Sequence, residues 1–521
     1  MVERYKLMES PVTVARLEIE DQESFRALQV PRAAAWIEEQ LAGPGFEAMV
    51  LVSKRRFNAA NDQNNLFPPP PGELLVFKLG GALKREHLPV ILRSEIQENT
   101  QGRKLMVAVA RQLNAKVSVW CKQKPWLLLT KRKRENALAN LRSIGDWSFR
   151  LSRNEGLHPY PSTFVHAIPS NLINALGIRG ELAVDVFGGT GQTAAEVIKH
   201  GGSAITADSN FIASTIAKSR FTFLNPANRK TLFELSTDDL LKVEPSTPPD
   251  FENINEWFHR KTLTELCRVW AFIGRRRDEA VKRFLKVCFS AVVPLCTGRR
   301  GEQHGYFADN CPLRTGSKLP PYQDALKLFV SRVRKNVMII ERSYAALQKQ
   351  DREPARELAR VDARRVSVYD AKISDYGVQQ ESVTAVITSP PYLCMADYTL
   401  GQRLSYHWLA PKELDVDFLQ EIGARRLRSS PDEAEEQYFQ GVRAFARLVE
   451  KMLRKGGYLA TVLGQPVAAN FRSRRIIEQF DTILEEEGLE PLWHTYRRIN
   501  WHRNHGYSRL ERERVSVHFK P

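Results

Sequence analysis

The sequence has few cysteines and no long hydrophobic run. Its six cysteines are scattered, with no Cys-x-x-Cys pair and no cluster with histidine at metal-ligand spacing, so we expect neither a metal site nor a disulfide framework. No stretch approaches the roughly 18 uninterrupted apolar residues of a membrane helix, and the first residues hold no apolar core of signal-peptide length. These absences predict a soluble, cytoplasmic protein that does not bind a membrane.

Acidic residues are also outnumbered. Lys and Arg total 77 against 60 Asp and Glu, which gives a formal net charge of +17. A positive charge of this size favours a polyanionic partner, because cations neutralise phosphates and release their counterions. Nucleic acid is therefore the leading partner, although a basic housekeeping enzyme has the same composition.

No internal repeat divides the 521 residues, a length that predicts about two to four structural units. Residues 1–145 mix short apolar runs with turns, which indicates a mixed N-terminal domain with an expected role in DNA recognition or partner binding. Beyond it, strand-like and helical stretches alternate as in a parallel α/β sheet. The predicted strands are Leu182–Val184, Ala204–Ala207, Val366–Tyr369, Val383–Thr388, Tyr458–Leu463 and Arg514–Phe519. The long interval after the second strand predicts a helical insertion over 225–360, which separates the two parts of the sheet domain, 146–224 and 361–521.

A glycine-rich turn follows the first predicted strand. It reads Asp185-Val186-Phe187-Gly188-Gly189-Thr190-Gly191-Gln192-Thr193 and leads into a helix. Glycines let the backbone approach a ligand closely, and free amides at a helix start favour a negative group such as a carboxylate. The next strand ends at Asp208, where an acid can accept hydrogen bonds from both hydroxyls of a ribose. The spacing differs from the Gly-x-Gly-x-x-Gly of dinucleotide enzymes, and alone such a loop is a weak signal.

The fourth predicted strand runs directly into the tetrad Ser389-Pro390-Pro391-Tyr392, at the end of a strand where open sheets bind ligands. Pro390 and Pro391 fix the backbone and remove two amide donors, so the carbonyl oxygens are presented without competing donors from these residues. An exocyclic amine on a base needs acceptors for its two hydrogens, which Ser389 and the Pro390 carbonyl can supply. Tyr392 offers a flat face on which a flipped base can stack. Alone, the motif fits a Ser-Pro-Pro turn that caps a strand equally well.

The loop and the tetrad together resemble those of bacterial and archaeal DNA amino-methyltransferases of the Thr-Ser-Pro-Pro-Tyr type. The resemblance covers about residues 150 to 225 and 360 to 521, and includes a Tyr-Pro-x-x-Phe segment upstream of the loop. It implies a Rossmann-like methyltransferase sheet and S-adenosyl-L-methionine as the cofactor. The cofactor-binding residues expected from the loop and the resemblance are Tyr160, Pro161, Phe164, Asp185, Phe187, Gly188, Gly189, Thr190, Gly191, Thr193, Asp208 and Asp370.

Serine in the first tetrad position is typical of N4-cytosine enzymes in that family, whereas Asp or Asn there is typical of N6-adenine enzymes. The resemblance therefore implies a site-specific enzyme that methylates a flipped base of double-stranded DNA, with cytosine N4 favoured and adenine N6 as the alternative. An RNA base methyltransferase and a non-catalytic nucleic-acid-binding subunit also remain open, as does a restriction endonuclease or defence-system partner. A 5-methylcytosine enzyme needs a cysteine nucleophile, and we interpret Cys394, two residues beyond the tetrad, as a packing residue.

Residues expected to contact DNA lie in two further segments. Asp397, Tyr398 and Arg403 follow the tetrad and belong to the resemblance. A basic segment, 497–504, is predicted to be a loop in which Arg498, Trp501 and Arg503 grip phosphates or stack on a displaced base; an exposed basic loop without that role fits almost as well. Arginine and lysine runs give the insertion a basic face, so we assign target recognition to it, with the N-terminal domain as the competitor.

Overall fold

A computed structural model describes the chain at residues 14–19, 48–51, 73–77, 91–94, 115–120, 125–149, 156–160, 164–297, 320–369, 371–466, 469–471, 474–499, 510 and 512–521. Two compact units make up the chain, residues 1–135 and 136–521. The division falls before residue 145, the boundary expected from the sequence. Within the described ranges, no helix is both long and apolar enough to cross a membrane.

The first unit holds an antiparallel sheet with the strand order β4-β2-β3-β1-β5. Its strands are β1 (Val14–Ile19), β2 (Ala48–Leu51), β3 (Glu73–Phe77), β4 (Ile91–Ser94) and β5 (Ala115–Trp120). Helix α1, Pro125–Ser143, follows the last of these strands and spans the division between the units.

A seven-stranded sheet forms the second unit, in the order β11-β12-β10-β9-β6-β7-β8. Its strands are β6 (Leu182–Asp185), β7 (Ser203–Asp208), β8 (Val361–Arg365), β9 (Val383–Thr388), β10 (Leu453–Gly464), β11 (Glu490–Arg498) and β12 (Arg512–Phe519). Strands β6 to β10 pair in parallel, and β12 runs antiparallel to both of its neighbours. This arrangement confirms the predicted Rossmann-like α/β sheet.

Helices cover both faces of this sheet. Those outside the insertion are α2 (Ala167–Ala175), α3 (Gln192–Lys199), α4 (Phe211–Arg220), α12 (Arg403–Leu409), α13 (Leu414–Gln420), α14 (Pro431–Met452) and α15 (Ile476–Glu486). Short 3₁₀ helices lie at Val293–Thr297, Ile373–Tyr376, Leu400–Gln402, Pro411–Glu413, Arg425–Ser429 and Ala469–Phe471. Alternate residues of each strand point to opposite faces, so Ala385 and Ile387 of β9 join one apolar core while Val386 joins the other.

The segment between α4 and β8 is helical, as the sequence predicts. Its helices are α5 (Pro226–Glu234), α6 (Thr237–Leu241), α7 (Ile254–Trp257), α8 (Arg260–Gly274), α9 (Glu279–Val292), α10 (Ala325–Gln348) and α11 (Pro354–Leu358). Buried side chains such as Leu266, Phe289 and Phe329 join the same core as one face of the sheet. The insertion is therefore packed onto the seven-stranded sheet.

Two sequence-based assignments at the edges of the sheet are wrong. The third strand is Val361–Arg365 and not Val366–Tyr369. Segment Glu490–Arg498, whose last two residues were assigned to a basic loop, is strand β11. Both strands lie at an edge of the sheet and expose part of their length, so charged residues interrupt the apolar pattern that identifies central strands.

Candidate functional site

The glycine-rich turn lies at the carboxyl end of β6, in the middle of the sheet. Asp185, the last residue of β6, is 3% exposed, and its Oδ1 accepts hydrogen bonds from Thr388 Oγ1 (2.6 Å) and from the Phe187 amide (3.2 Å). Thr388 ends the neighbouring parallel strand β9. The glycine-rich turn and the strand that carries the tetrad are thus joined directly.

The glycines of this turn differ in what surrounds them. A Cβ on Gly188 would lie 2.0 Å from Thr206 Oγ1, and one on Gly191 would lie 2.5 Å from the Phe221 ring. Gly189 has a φ of +51°, and a Cβ there would point into open space. Gly188 and Gly191 are therefore required by packing, whereas Gly189 borders space that a ligand can occupy.

Asp208 ends β7 on the other side of β6. Its two carboxylate oxygens accept hydrogen bonds from the amides of Gly189 (2.9 Å) and Asn210 (2.9 Å). Each oxygen still has a lone pair available for a ligand hydroxyl. Burial raises the pKa of both Asp185 and Asp208 to about 6, because a carboxylate loses solvation there.

The upstream aromatic segment lies near the same edge. Tyr160 and Phe164 pack against the apolar core. Burial raises the pKa of the Tyr160 phenol well above its usual value, and the negative charge of nearby Asp208 adds to the effect. Tyr160 therefore interacts electrostatically with Asp208, while Pro161 and Asp370 lie outside the described residues.

Helix α3 begins immediately after the loop. Gly191 is its N-cap, with a left-handed φ of 78° and no side chain bound to the first amides. Phe187 contacts Phe445, with ring centroids 5.4 Å apart, and Thr193 is 1% exposed. The loop therefore combines an apolar wall with unshielded helix amides, which favour a negative group. Thr190, between Gly189 and Gly191, is half-buried.

The tetrad leaves β9, all six residues of which are buried. Ser389 Oγ donates a hydrogen bond to the Val462 carbonyl (3.2 Å) and also lies within hydrogen-bonding reach of the Tyr392 hydroxyl. Pro390 is buried, Pro391 is half-buried, and the Tyr392 hydroxyl donates to Glu513 Oε1 at 3.0 Å. Because β6 lies between β7 and β9, the tetrad, the loop and Asp208 share one edge of the sheet.

Glu513 was not predicted as a site residue. It lies on β12 opposite Arg497 of β11, and the Arg497 guanidinium donates to Glu513 Oε2 and to the Trp147 carbonyl (3.2 Å). Only 2% of Arg497 is exposed. The aromatic and β-branched content of Glu490–Arg498 was the available signal for a strand there, but no sequence pattern pairs Arg497 with a glutamate.

The residues after the tetrad make protein contacts. Asp397 Oδ1 accepts a hydrogen bond from the Arg426 amide (2.9 Å), and the Tyr398 amide donates to Glu421. Arg403 lies over the ring of Trp257 in the insertion, 5.3 Å from its centroid. Burial raises the pKa of Glu421 to about 7. The segment that follows the tetrad therefore contacts residues 421–426 and the insertion.

Asp417, another residue without a sequence signal, connects four segments. Its Oδ2 accepts hydrogen bonds from the Phe211 amide (2.7 Å) and from the Tyr406 hydroxyl, and Arg365 donates to its Oδ1 (2.6 Å). It is 3% exposed. The ends of β7 and β8 are thereby tied to α12 and α13 beside the cofactor loop.

Of the predicted C-terminal DNA contacts, only Arg498 is described, and its amide donates to Ser148 Oγ (3.0 Å). Trp501 and Arg503 lie outside the described residues. Cys394 is buried, and burial raises its thiol pKa to about 11, so it is not a thiolate nucleophile. In the described ranges no group of three or more His, Cys, Asp or Glu is placed to hold a metal ion.

Two comparisons returned no match, one with protein-family models and one with curated proteins. Among solved structures, a TehB-like SAM-dependent methyltransferase from Corynebacterium glutamicum aligns with 9% identity and a TM-score of 0.26, covering 75% of this chain and 98% of that one. A DszA carbon methyltransferase aligns with 8% identity and a TM-score of 0.25, covering 96% of this chain and 88% of that one.

Proposed function

We propose that this chain transfers a methyl group from S-adenosyl-L-methionine to the exocyclic amine of a flipped base in double-stranded DNA, with cytosine N4 as the target atom. One observation carries the proposal: the glycine-rich loop and the Ser-Pro-Pro-Tyr tetrad leave adjacent parallel strands and are joined by the Thr388 to Asp185 hydrogen bond. A donor and an acceptor bound at these two strand ends would lie side by side.

The residues present fit the cofactor. Asp208 has lone pairs for ribose hydroxyls, Gly189 borders open space, and the first amides of α3 are not capped by a side chain. Asp185 would hold the cationic methionine end, and Tyr160 would cover it. When bound, S-adenosyl-L-methionine supplies an electrophilic methyl on a sulfonium.

The tetrad fits the amine that receives the methyl. Ser389 Oγ and the Pro390 carbonyl would accept the two amine hydrogens, which directs the nitrogen lone pair away from them and toward the loop. The nitrogen would form a bond to the methyl carbon as the carbon-sulfur bond breaks and S-adenosyl-L-homocysteine leaves, and the proton lost by the amine would pass through Ser389 Oγ to solvent. Tyr392 would provide the stacking face for the base, which has to leave the duplex to reach it.

DNA as the substrate is supported by the charge of the insertion. A groove of about 690 Å³ runs between α6 and α10 and is lined by Lys327, Arg334, Lys335 and Arg342 of α10. Arg334 donates to the carbonyls of Phe233 and Leu235, and Lys327 pairs with Asp324. Lys335 and Arg342 are exposed and have no carboxylate partner among the described residues, so they are the cations available to phosphates.

The direct test is transfer of tritiated methyl from S-adenosyl-L-methionine to duplex DNA, with RNA of matched composition in parallel. We expect labelled DNA and unlabelled RNA. Tyr392→Ala should abolish transfer while calorimetric binding of the cofactor persists. Labelled RNA alone would replace the DNA substrate with RNA, and a wild-type chain that does not bind the cofactor would favour a non-catalytic nucleic-acid-binding subunit.

A further inference from the structure

Tyr392 is held in place by a row of residues across three strands. Gly464 of β10 and Arg497 of β11 both lie directly opposite Glu513 of β12. The Tyr392 hydroxyl donates to Glu513 Oε1 (3.0 Å). A Cβ on Gly464 would lie 2.9 Å from each of two carbons of the Tyr392 ring, so one edge of the ring contacts the Gly464 backbone. The ring is therefore fixed at its hydroxyl and along its edge.

The charge on Glu513 is compensated by Arg497. Glu513 is 9% exposed and Arg497 is 2% exposed. The Arg497 guanidinium donates to Glu513 Oε2 and to the carbonyls of Trp147 (3.2 Å) and Phe149 (3.3 Å). A buried carboxylate needs such a partner. Arg497 occupies one oxygen of Glu513 and leaves the other for Tyr392.

The phenol remains a hydrogen-bond donor in this environment. Burial raises the pKa of Tyr392 well above its usual value, and the negative charge of Glu513 adds to that effect. Rotation of the ring about its own axis is opposed by the contact with Gly464, and displacement of its tip is opposed by the hydrogen bond. A stacking platform works only when its plane is set before the base arrives.

We propose that Glu513 is a positioning residue for the methyl transfer, acting through the Tyr392 hydroxyl to set the ring plane on which the target base stacks. The inference rests on the proposed function. It adds Glu513, with Arg497 and Gly464 behind it, to a site that the tetrad alone does not define. A purely structural Glu513 would hold β11 to β12 through Arg497 and have no effect that passes through Tyr392.

A double-mutant cycle separates these two roles. The variants are Tyr392→Phe, Glu513→Gln and the double variant, each measured for kcat on duplex DNA, cofactor affinity and thermal unfolding. Tyr392→Phe removes the hydroxyl and its contact with Ser389, but it leaves the ring and the ion pair of Glu513 with Arg497, so it avoids the risk that Glu513→Gln unfolds the chain. The matched control is Tyr322→Phe, since the Tyr322 hydroxyl donates to Glu265 (2.9 Å) in the insertion.

Tyr392→Phe is expected to lower kcat about tenfold, the loss of one hydrogen bond, with cofactor affinity unchanged. Glu513→Gln should lower kcat in the wild-type background and have no further effect on it in Tyr392→Phe, while Tyr322→Phe leaves kcat unchanged. Effects on kcat that multiply in the double variant, or an unchanged kcat in Tyr392→Phe, would overturn the positioning role of Glu513. Either result would leave the proposed function standing. A wild-type chain that methylates no nucleic acid would overturn the proposed function and this inference with it.

Discussion

Thr388 Oγ1 lies 2.6 Å from Asp185 Oδ1 and donates a hydrogen bond to it. Both residues are the last of adjacent parallel strands in the centre of the sheet. One begins the cofactor loop and the other precedes the tetrad, so a single buried contact fixes the distance between the two halves of the candidate site.

Thr388→Val removes that hydrogen bond at almost constant volume. Because the bond favours the ionised form of Asp185, its loss should weaken cofactor binding by about tenfold, as measured by calorimetry. Thr384→Val is the control, since Thr384 Oγ1 donates to Glu181 (3.1 Å) near the opposite end of β9. Equal affinity losses in the two variants would show that Thr388 has only a general effect on the strand.

The two adjacent glycines of the loop should respond differently to alanine. Gly188→Ala places a Cβ 2.0 Å from Thr206 Oγ1 and should lower the free energy of unfolding by about 1–3 kcal/mol, as overpacking does. Gly189→Ala meets open space and should cost only about 1 kcal/mol for its positive φ, yet prevent cofactor binding. Denaturant unfolding and calorimetry measure both effects. Undiminished cofactor affinity in Gly189→Ala would place the ligand elsewhere.

Cofactor affinity should depend on pH. Burial raises the pKa of Asp185 and Asp208 to about 6, and a cationic ligand favours their ionised forms. Affinity is therefore expected to be low at pH 5, to rise through pH 6 and to level off above it. Without the ligand, folding stability depends on pH in the opposite direction. The raised carboxyl pKa values contribute stability below the unfolded pKa of about 4, and that stability is lost as the pH rises through about 6.

Glu421, with a pKa raised to about 7 by burial, titrates near the same range. In Glu421→Gln this titration is absent, so calorimetry across the same pH series measures the contribution of the two aspartates to cofactor affinity. A midpoint that stays near pH 6 in this variant supports the assignment to Asp185 and Asp208. An affinity that is flat between pH 5 and 8 in the wild type contradicts it.

The groove on the insertion predicts where duplex DNA binds. Lys335→Glu with Arg342→Glu should weaken duplex affinity and reduce the slope of log affinity against log salt by about 2, one per lost phosphate contact. Lys451→Glu with Lys455→Glu changes the net charge equally near the start of β10, at the sheet edge opposite the tetrad. Fluorescence anisotropy with labelled duplex compares them. An equal loss in both pairs would indicate only a long-range charge effect.

The central strands of the second unit could be predicted from the sequence, and its edge strands β8 and β11 could not. Strand β9 is buried along its whole length and reads as a continuous apolar run. Strand β8 pairs only with β7 and carries Asp362 and Arg364, whereas the apolar alternation that suggested a strand begins at Val366, beyond its end. Burial on both faces of a strand produces a continuous apolar run, and an edge strand such as β8, whose residues are mostly half-buried, lacks that run.

The candidate site divides in the same way. The loop and the tetrad are contiguous in sequence, and their chemistry is visible in the residues themselves. Glu513, Arg497 and Asp417 act through partners many positions away, such as Tyr392 for Glu513 and Phe211 for Asp417. A lone carboxylate has no local signal for such a partner, so only the fold reveals these contacts.

The methylated amine can be identified directly by mass spectrometry of nucleosides from duplex DNA incubated with the purified protein and S-adenosyl-L-methionine. We expect N4-methylcytosine with the wild type and none with Tyr392→Ala. N6-methyladenine instead would show that the target amine is adenine N6. DNA that carries no methylated amine in the presence of bound cofactor would contradict the proposed methyl transfer to DNA.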